Sequence, residues 1–192
     1  MALIDTINTR PGILNEIIQH RNSWEVPQDP PNFLENYLCF DDYGYDSTVS
    51  GIRYTVVMYN ANHMTFKKVP EGNDMVSFGF TGCYMVTLLR KDTGERYVGH
   101  IPLAKSKLEW ELFKVRYENR LICDIKIFNP MHHLGYTSYP PATPRPCTQI
   151  WGLIMRDGRQ NALEVYENWE KTLRGGKLYP TCKGKSVFRR II

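Results

Sequence analysis

The sequence predicts an α+β fold: a mixed or antiparallel, sandwich-like β-sheet core flanked by helices near both chain ends. Three observations lead there. Short apolar segments, roughly six or seven, follow one another from about residue 50 to residue 160, mostly with period-two alternation. Apolar stripes at helical spacing are confined to the flanks, at 10–40 and 161–174. Turn-forming Asn, Asp and Gly separate the apolar segments. The 192 residues suffice for one domain with a sizeable core. It divides into an N-terminal helical segment (10–40), the sheet core (50–160) and a basic C-terminal segment (174–192).

The first helix is expected over 10–23, with Thr9 as N-cap, Pro11 in the first turn and Ile13, Leu14, Ile17 and Ile18 as its buried stripe. Pro27, Pro30 and Pro31 make a stiff linker, and a short helix is expected over 32–40. Strands are expected at 52–59, 64–69, 84–89 and 95–101. Residues 108–118 alternate at Leu108, Trp110 and Leu112 and read as a strand, although a helix also fits. In 120–128, Leu121, Cys123, Ile125 and Ile127 are expected on one face. Residues 149–156 read as a buried strand ended by Asp157-Gly158, and 161–174 as a closing helix with Leu163, Tyr166, Trp169 and Leu173 on one face. Residues 129–146 have five prolines and no periodicity, the composition of a lid, a recognition loop or a rigid surface crossing.

Chemistry concentrates in 76–103, VSFGFTGCYMVTLLRKDTGERYVGHIPL. Cys83 opens one strand of a hairpin and His100 lies near the end of the other, where Arg96, Val98 and His100 share a face. An imidazole beside a thiol can take its proton and release the nucleophilic thiolate. Gly79 and Gly82 allow a sharp bend before Cys83, where main-chain N–H groups can hold an oxyanion. A two-residue turn at Thr93-Gly94 sets Thr87, not Cys83, opposite His100. The pair then meets only if a bulge shifts the register or the chain bends before Tyr84. The same residues also suit a buried hydrophobe and a satisfied strand histidine.

This stretch resembles the cysteine–histidine glutamine deamidases, among them the bacterial chemoreceptor deamidases, the catalytic domain of cytotoxic necrotizing factor and Burkholderia lethal factor. Ser77 stands where that family has its third site residue, Gly79 matches the intervening glycine, Gly82-Cys83 matches the toxins' Gly-Cys, and Gly-His-Ile-Pro-Leu around His100 resembles the segment at the family's histidine. The resemblance is confined to 76–103. It implies a layered sheet core and deamidation of a protein glutamine to glutamate, with Cys83 as nucleophile, His100 as base, and Ser77 orienting the imidazole. The Gly82 and Cys83 N–H groups would form the oxyanion site, with no metal or organic cofactor. The Ser77 contact is expected through its main-chain carbonyl, at a strained bend signalled by Gly79. The toxin-like Gly-Cys implies an effector or toxin acting on a host protein that bears an exposed glutamine; a monomer is expected. A transglutaminase or cysteine protease of related thioester chemistry, and a non-catalytic protein-binding module, remain open alternatives.

Composition narrows the class. No apolar run reaches membrane-helix length, and the N-terminus lacks a basic start followed by a long apolar region. Five widely spaced cysteines (39, 83, 123, 147, 182) without C-x-x-C disfavour a disulfide framework, and with His132-His133 they match no common zinc spacing. The expected setting is a reducing cytoplasm, or a host cell entered without a signal peptide. Arg174, Lys177, Lys183, Lys185, Arg189 and Arg190 stand in 174–192 with no acid, against 18 basic and 20 acidic residues elsewhere. The positive charge thus belongs to the C-terminal segment, which is expected to be a solvated tail partly pinned by Leu178, Tyr179, Val187 and Phe188, with contact to an anionic partner or a membrane surface as the alternative; nucleic acid is not expected.

Overall fold

The computed structural model describes residues 1–25, 43–61, 63–137, 147–167, 169–174, 177–182 and 187–189. Two helices, α1 (Leu3–Thr9) and α2 (Ile13–Ser23), precede the strands β1 (Gly44–Val49), β2 (Ile52–Val57), β3 (Thr65–Val69), β4 (Asp74–Phe78), β5 (Tyr84–Arg90) and β6 (Arg96–Ile101). After them come α3 (Leu103–Tyr117), β7 (Ile122–Phe128) and the short α4 (Pro130–His133). The chain continues with β8 (Cys147–Ile154), β9 (Gln160–Glu167), β10 (Trp169–Arg174), β11 (Lys177–Cys182) and β12 (Val187–Arg189).

A six-stranded sheet runs β1-β2-β4-β8-β9-β12 and a four-stranded sheet β3-β6-β5-β7, with β10-β11 as a separate pair. The β2–β4 pairing is parallel and its neighbours are antiparallel, so the larger sheet is mixed. Alternation along each strand then builds layers. Tyr54, Val56, Val76, Phe78, Trp151 and Leu153 face out of the larger sheet onto Leu3, Ile7, Leu14 and Ile17 of α1 and α2. Phe66, Val86, Leu88 and Tyr97 face out of the smaller sheet onto Trp110, Phe113 and Tyr117 of α3. Between the sheets lie Val57, Met75, Ile150 and Ile154 from one side and Val69, Met85, Val98 and Phe128 from the other. The α+β class and the sandwich-like core are as the sequence predicts.

Several elements differ from expectation. Residues 108–117 belong to helix α3, with Glu118 as its C-cap: Trp110, Phe113 and Tyr117 recur at helical spacing on the core side, whereas Leu108 and Leu112, which suggested alternation, are exposed. Residues 161–167 and 169–174 lie in strands, not in a helix. The Asp157-Gly158 dipeptide is a hairpin turn, with Gly158 at φ 88°, and it lays β9 along β8 with Trp151 opposite Leu163. That pairing sends Leu163 and Val165 to one face and Ala162 to the other, so tertiary pairing overrides the local periodicity. Strand β7 is bulged opposite Thr87–Leu89, where Asp124 takes φ 49°. Its apolar residues therefore do not keep one face: Ile122 and Ile125 pack towards α3 and Phe128 turns between the sheets. Thr9 ends α1 rather than capping the next helix, whose N-cap is Gly12. The linker at 27–31, the helix expected over 32–40, residues 138–146 and the basic side chains of 174–192 lie outside the described residues or side chains.

Buried Asp74 ties the N-terminus to the larger sheet: it accepts the Leu3 N–H (2.6 Å), the Arg156 N–H (2.8 Å) and the Arg156 guanidinium (3.0 and 3.1 Å). A buried carboxylate persists where its lone pairs are filled in this way.

Candidate active site

The two sheets bring together the side chains that the sequence singled out. In β4, Val76 and Phe78 face the helices, so Ser77 faces the interior. In β6, Tyr97, Gly99 and Ile101 lie on the α3 side, so His100 faces the interior from the opposite sheet. Both residues have 0% exposure. Gly99 leaves room for this arrangement, since a Cβ there would sit 2.6 Å from Phe66 and 2.7 Å from Val86.

Ser77 Oγ lies 2.8 Å from His100 Nδ1 and 2.7 Å from the Val57 carbonyl. A hydroxyl has one proton, and a carbonyl can only accept. The hydroxyl therefore donates to Val57 and accepts from His100, which fixes the proton on Nδ1 and leaves Nε2 as a bare lone pair. Nε2 is buried and has no hydrogen-bond partner among the described residues. Burial of the ring pulls its pKa down to about 3, so the imidazole is neutral at pH 7. Phe80 stacks on one face of the ring, 4.2 Å between centroids and 4° between planes, and Tyr59 leans on it at 5.1 Å.

The orienting contact thus comes from the Ser77 hydroxyl and not from the expected main-chain carbonyl. Ser77 lies inside β4, opposite Gly152 of β8, so its main chain is committed to the ladder. The bend signalled by Gly79, at φ 75°, comes after the strand and places Phe80, whose N–H bonds the Ile150 carbonyl at 3.1 Å.

Cys83 just precedes β5 and is 5% exposed. The hairpin register differs from a two-residue turn. Arg90 N–H bonds the Glu95 carbonyl, Gly94 N–H bonds the Arg90 carbonyl, and the loop spans 91–94. This longer loop pairs Met85, not Thr87, with His100. Met85 and His100 therefore share a face, and Cys83, two residues before Met85, packs in the same inter-sheet cluster as Met85 and Phe80. Tyr59 lies beside the site. Its ring contacts His100, and the pKa of its phenol is raised, first by local burial and then by proximity to Cys83, although the residue is 44% exposed overall. Cys83 and His100 are not hydrogen-bonded to each other.

Gly82, at φ 119°, makes the bend into Cys83. Its carbonyl accepts a 2.9 Å bond from Asn129 Nδ2, while Asn129 Oδ1 caps α4 by accepting the His132 N–H at 3.1 Å. The Cys83 N–H donates to no main-chain carbonyl among the described residues. Sequence reasoning missed Val57, Tyr59, Phe80 and Asn129. The signal for Asn129 was Asn before Pro130, an N-cap followed by an N1 proline; the other three come near the imidazole only through tertiary packing.

Two cavities open elsewhere among the described residues. One of about 500 Å³ is lined by Lys68, Asn73, Glu95, Arg96 and Arg156, and one of about 480 Å³ lies between α3 and the sheet, lined by Tyr84, Ile101, Trp110 and Ile127. Among the described residues no group of three His, Cys, Asp or Glu converges as metal ligands. No protein-family model, curated protein or solved structure matches the chain.

Proposed function

We propose that the protein is a glutamine deamidase acting on a protein substrate through Cys83 and His100, with Ser77 orienting the imidazole. The observation that carries this reading is the hydrogen-bond chain from His100 Nδ1 through Ser77 to Val57, which leaves Nε2 an unpartnered base in the same interior cluster as a free cysteine. A neutral imidazole and a thiol form the resting state. As the side-chain carboxamide of a glutamine arrives past Tyr59, Nε2 takes the thiol proton and the sulfur attacks the carbonyl carbon. The carbonyl oxygen becomes an oxyanion held by main-chain N–H groups near Gly82 and Cys83. The imidazolium protonates the amide nitrogen, the C–N bond breaks and ammonia leaves a thioester. His100, neutral again, takes a proton from water as the water adds to the thioester carbonyl; the C–S bond breaks, the proton returns to the sulfur, and glutamate is released with the thiol restored.

The resemblance in 76–103 directs the choice of glutamine over other carbonyl substrates, and an effector or toxin acting on a host protein is the setting it favours. Incubation with a host-cell lysate and mass spectrometry tests the proposal: a protein gaining about 1 dalton at a glutamine, in a Cys83-dependent manner, is expected. Transfer of an added amine, or peptide-bond cleavage, would replace deamidation by one of the related thioester reactions. A binding module is the competing class, and the full burial of His100 favours it. Selective alkylation of Cys83 decides: a thiol no more reactive than Cys123 would rule the enzyme out.

A further inference from the structure

We infer that Asn129 is a positioning residue whose carboxamide turns the Gly82–Cys83 peptide so that the Cys83 N–H faces the oxyanion; this rests on the thiol–imidazole reading above. The carboxamide is occupied at both ends. Nδ2 donates to the Gly82 carbonyl at 2.9 Å and Oδ1 accepts the His132 N–H at 3.1 Å, so the group cannot rotate without losing both bonds. Asn129 is 8% exposed, and its own carbonyl accepts the His133 N–H at 2.9 Å. The next residue, Pro130, packs where a Cβ on Gly152 would be, 2.8 Å away. The clamp is therefore anchored in β7, α4 and the larger sheet at once.

In a trans peptide the C=O and the N–H point in opposite directions. Fixing the Gly82 oxygen towards Asn129 points the Cys83 N–H away from it, where it meets no described main-chain acceptor. Glycine on one side makes this peptide easy to flip, and Gly82 is already at φ 119°. A flip would replace the donor by a carbonyl oxygen, which repels an oxyanion. Asn129 opposes that flip.

Two variants isolate the clamp. Asn129→Ser and Asn129→Asp both keep a good N-cap for α4, but the first removes the donor to Gly82 and the second sets an acceptor against it. Two probes separate the steps. Iodoacetamide alkylates the sulfur by displacing iodide and needs no oxyanion site. p-Nitrophenyl acetate acylates it through a tetrahedral intermediate: the S–C bond forms, the thiol proton passes to His100, the C–O bond breaks and p-nitrophenolate leaves, followed at 400 nm.

Alkylation of Cys83 should stay within about twofold of wild type in both variants, while acylation falls on the order of a hundredfold, with Asn129→Asp the slower, and with kcat rather than KM carrying the loss. Acylation within about twofold of wild type in both variants, or a parallel fall of both reactions, overturns the assignment. So does loss of the native near-UV circular dichroism in both variants, which would make Asn129 merely structural. If the wild type shows neither reaction at Cys83, the thiol–imidazole reading itself fails, and that result is distinct from the others.

Discussion

The Ser77 hydroxyl stands between two partners, 2.8 Å from His100 Nδ1 and 2.7 Å from the Val57 carbonyl. It has one proton to give and the carbonyl can only receive, so this relationship alone assigns the tautomer of the imidazole. It also links the two sheets through one side chain from each.

Ser77→Ala should leave the Val57 carbonyl and the Nδ1–H unpaired in the core. The expected cost is about 1–3 kcal/mol of stability, with a fall in Cys83 alkylation on the order of tenfold or more as the ring loses its fixed tautomer. Ser77→Thr, which keeps the hydroxyl, should recover most of the rate. Denaturant unfolding and the iodoacetamide rate check both. An alkylation rate unchanged in Ser77→Ala would show that the hydroxyl only fills a hydrogen-bonding need.

Burial holds the His100 pKa at about 3, against 6.5 for the free side chain. The unfolded chain therefore binds a proton that the folded chain refuses. Stability from this group is complete above about pH 6.5 and is lost as pH falls towards the folded value. Between pH 6.5 and 5 the wild type should lose roughly 1.5 kcal/mol more than His100→Gln, and unfolding curves at the two pH values measure the difference.

Cys83→Ser should fold and lose turnover, and His100→Ala should lose it almost as fully. The double variant should be no slower than the slower single variant, because nucleophile and base act as one unit. Turnover of the deamidated substrate, once captured, gives the three rates. Substantial activity in Cys83→Ser would move the nucleophile to another of the five cysteines.

Gly152 makes the floor of the site possible. A Cβ there would meet Pro130 at 2.8 Å, Met85 at 2.9 Å and Phe80 at 3.0 Å. Gly152→Val should displace Phe80 from the His100 ring and destabilise the protein by about 1–3 kcal/mol through overpacking. Thermal unfolding and the alkylation rate should both register it. A variant as stable and as reactive as wild type would mean that the floor yields freely.

The sequence by itself determined the strands around the site. Alternation in 96–101 set His100 on one face with Arg96 and Val98, and the apolar run after Cys83 marked β5, because a side chain's face follows from the two-residue period of an extended chain; which face lies between the sheets was left to the packing. The α+β class was legible for the same reason. Tertiary structure decided the rest. The loop at 91–94 decided that Met85 rather than Thr87 meets His100, a choice of turn that local residues leave open. Pairing with β8 made a strand of 160–167 against its helical spacing, since a hairpin partner supplies ladder bonds and burial that an isolated helix there would lack. Ser77 and His100 lie on different sheets, 23 residues apart, and only the stacking of those sheets chose the hydroxyl over the carbonyl. A main chain inside a ladder has already spent its hydrogen bonds, and the side chain is what remains to reach across.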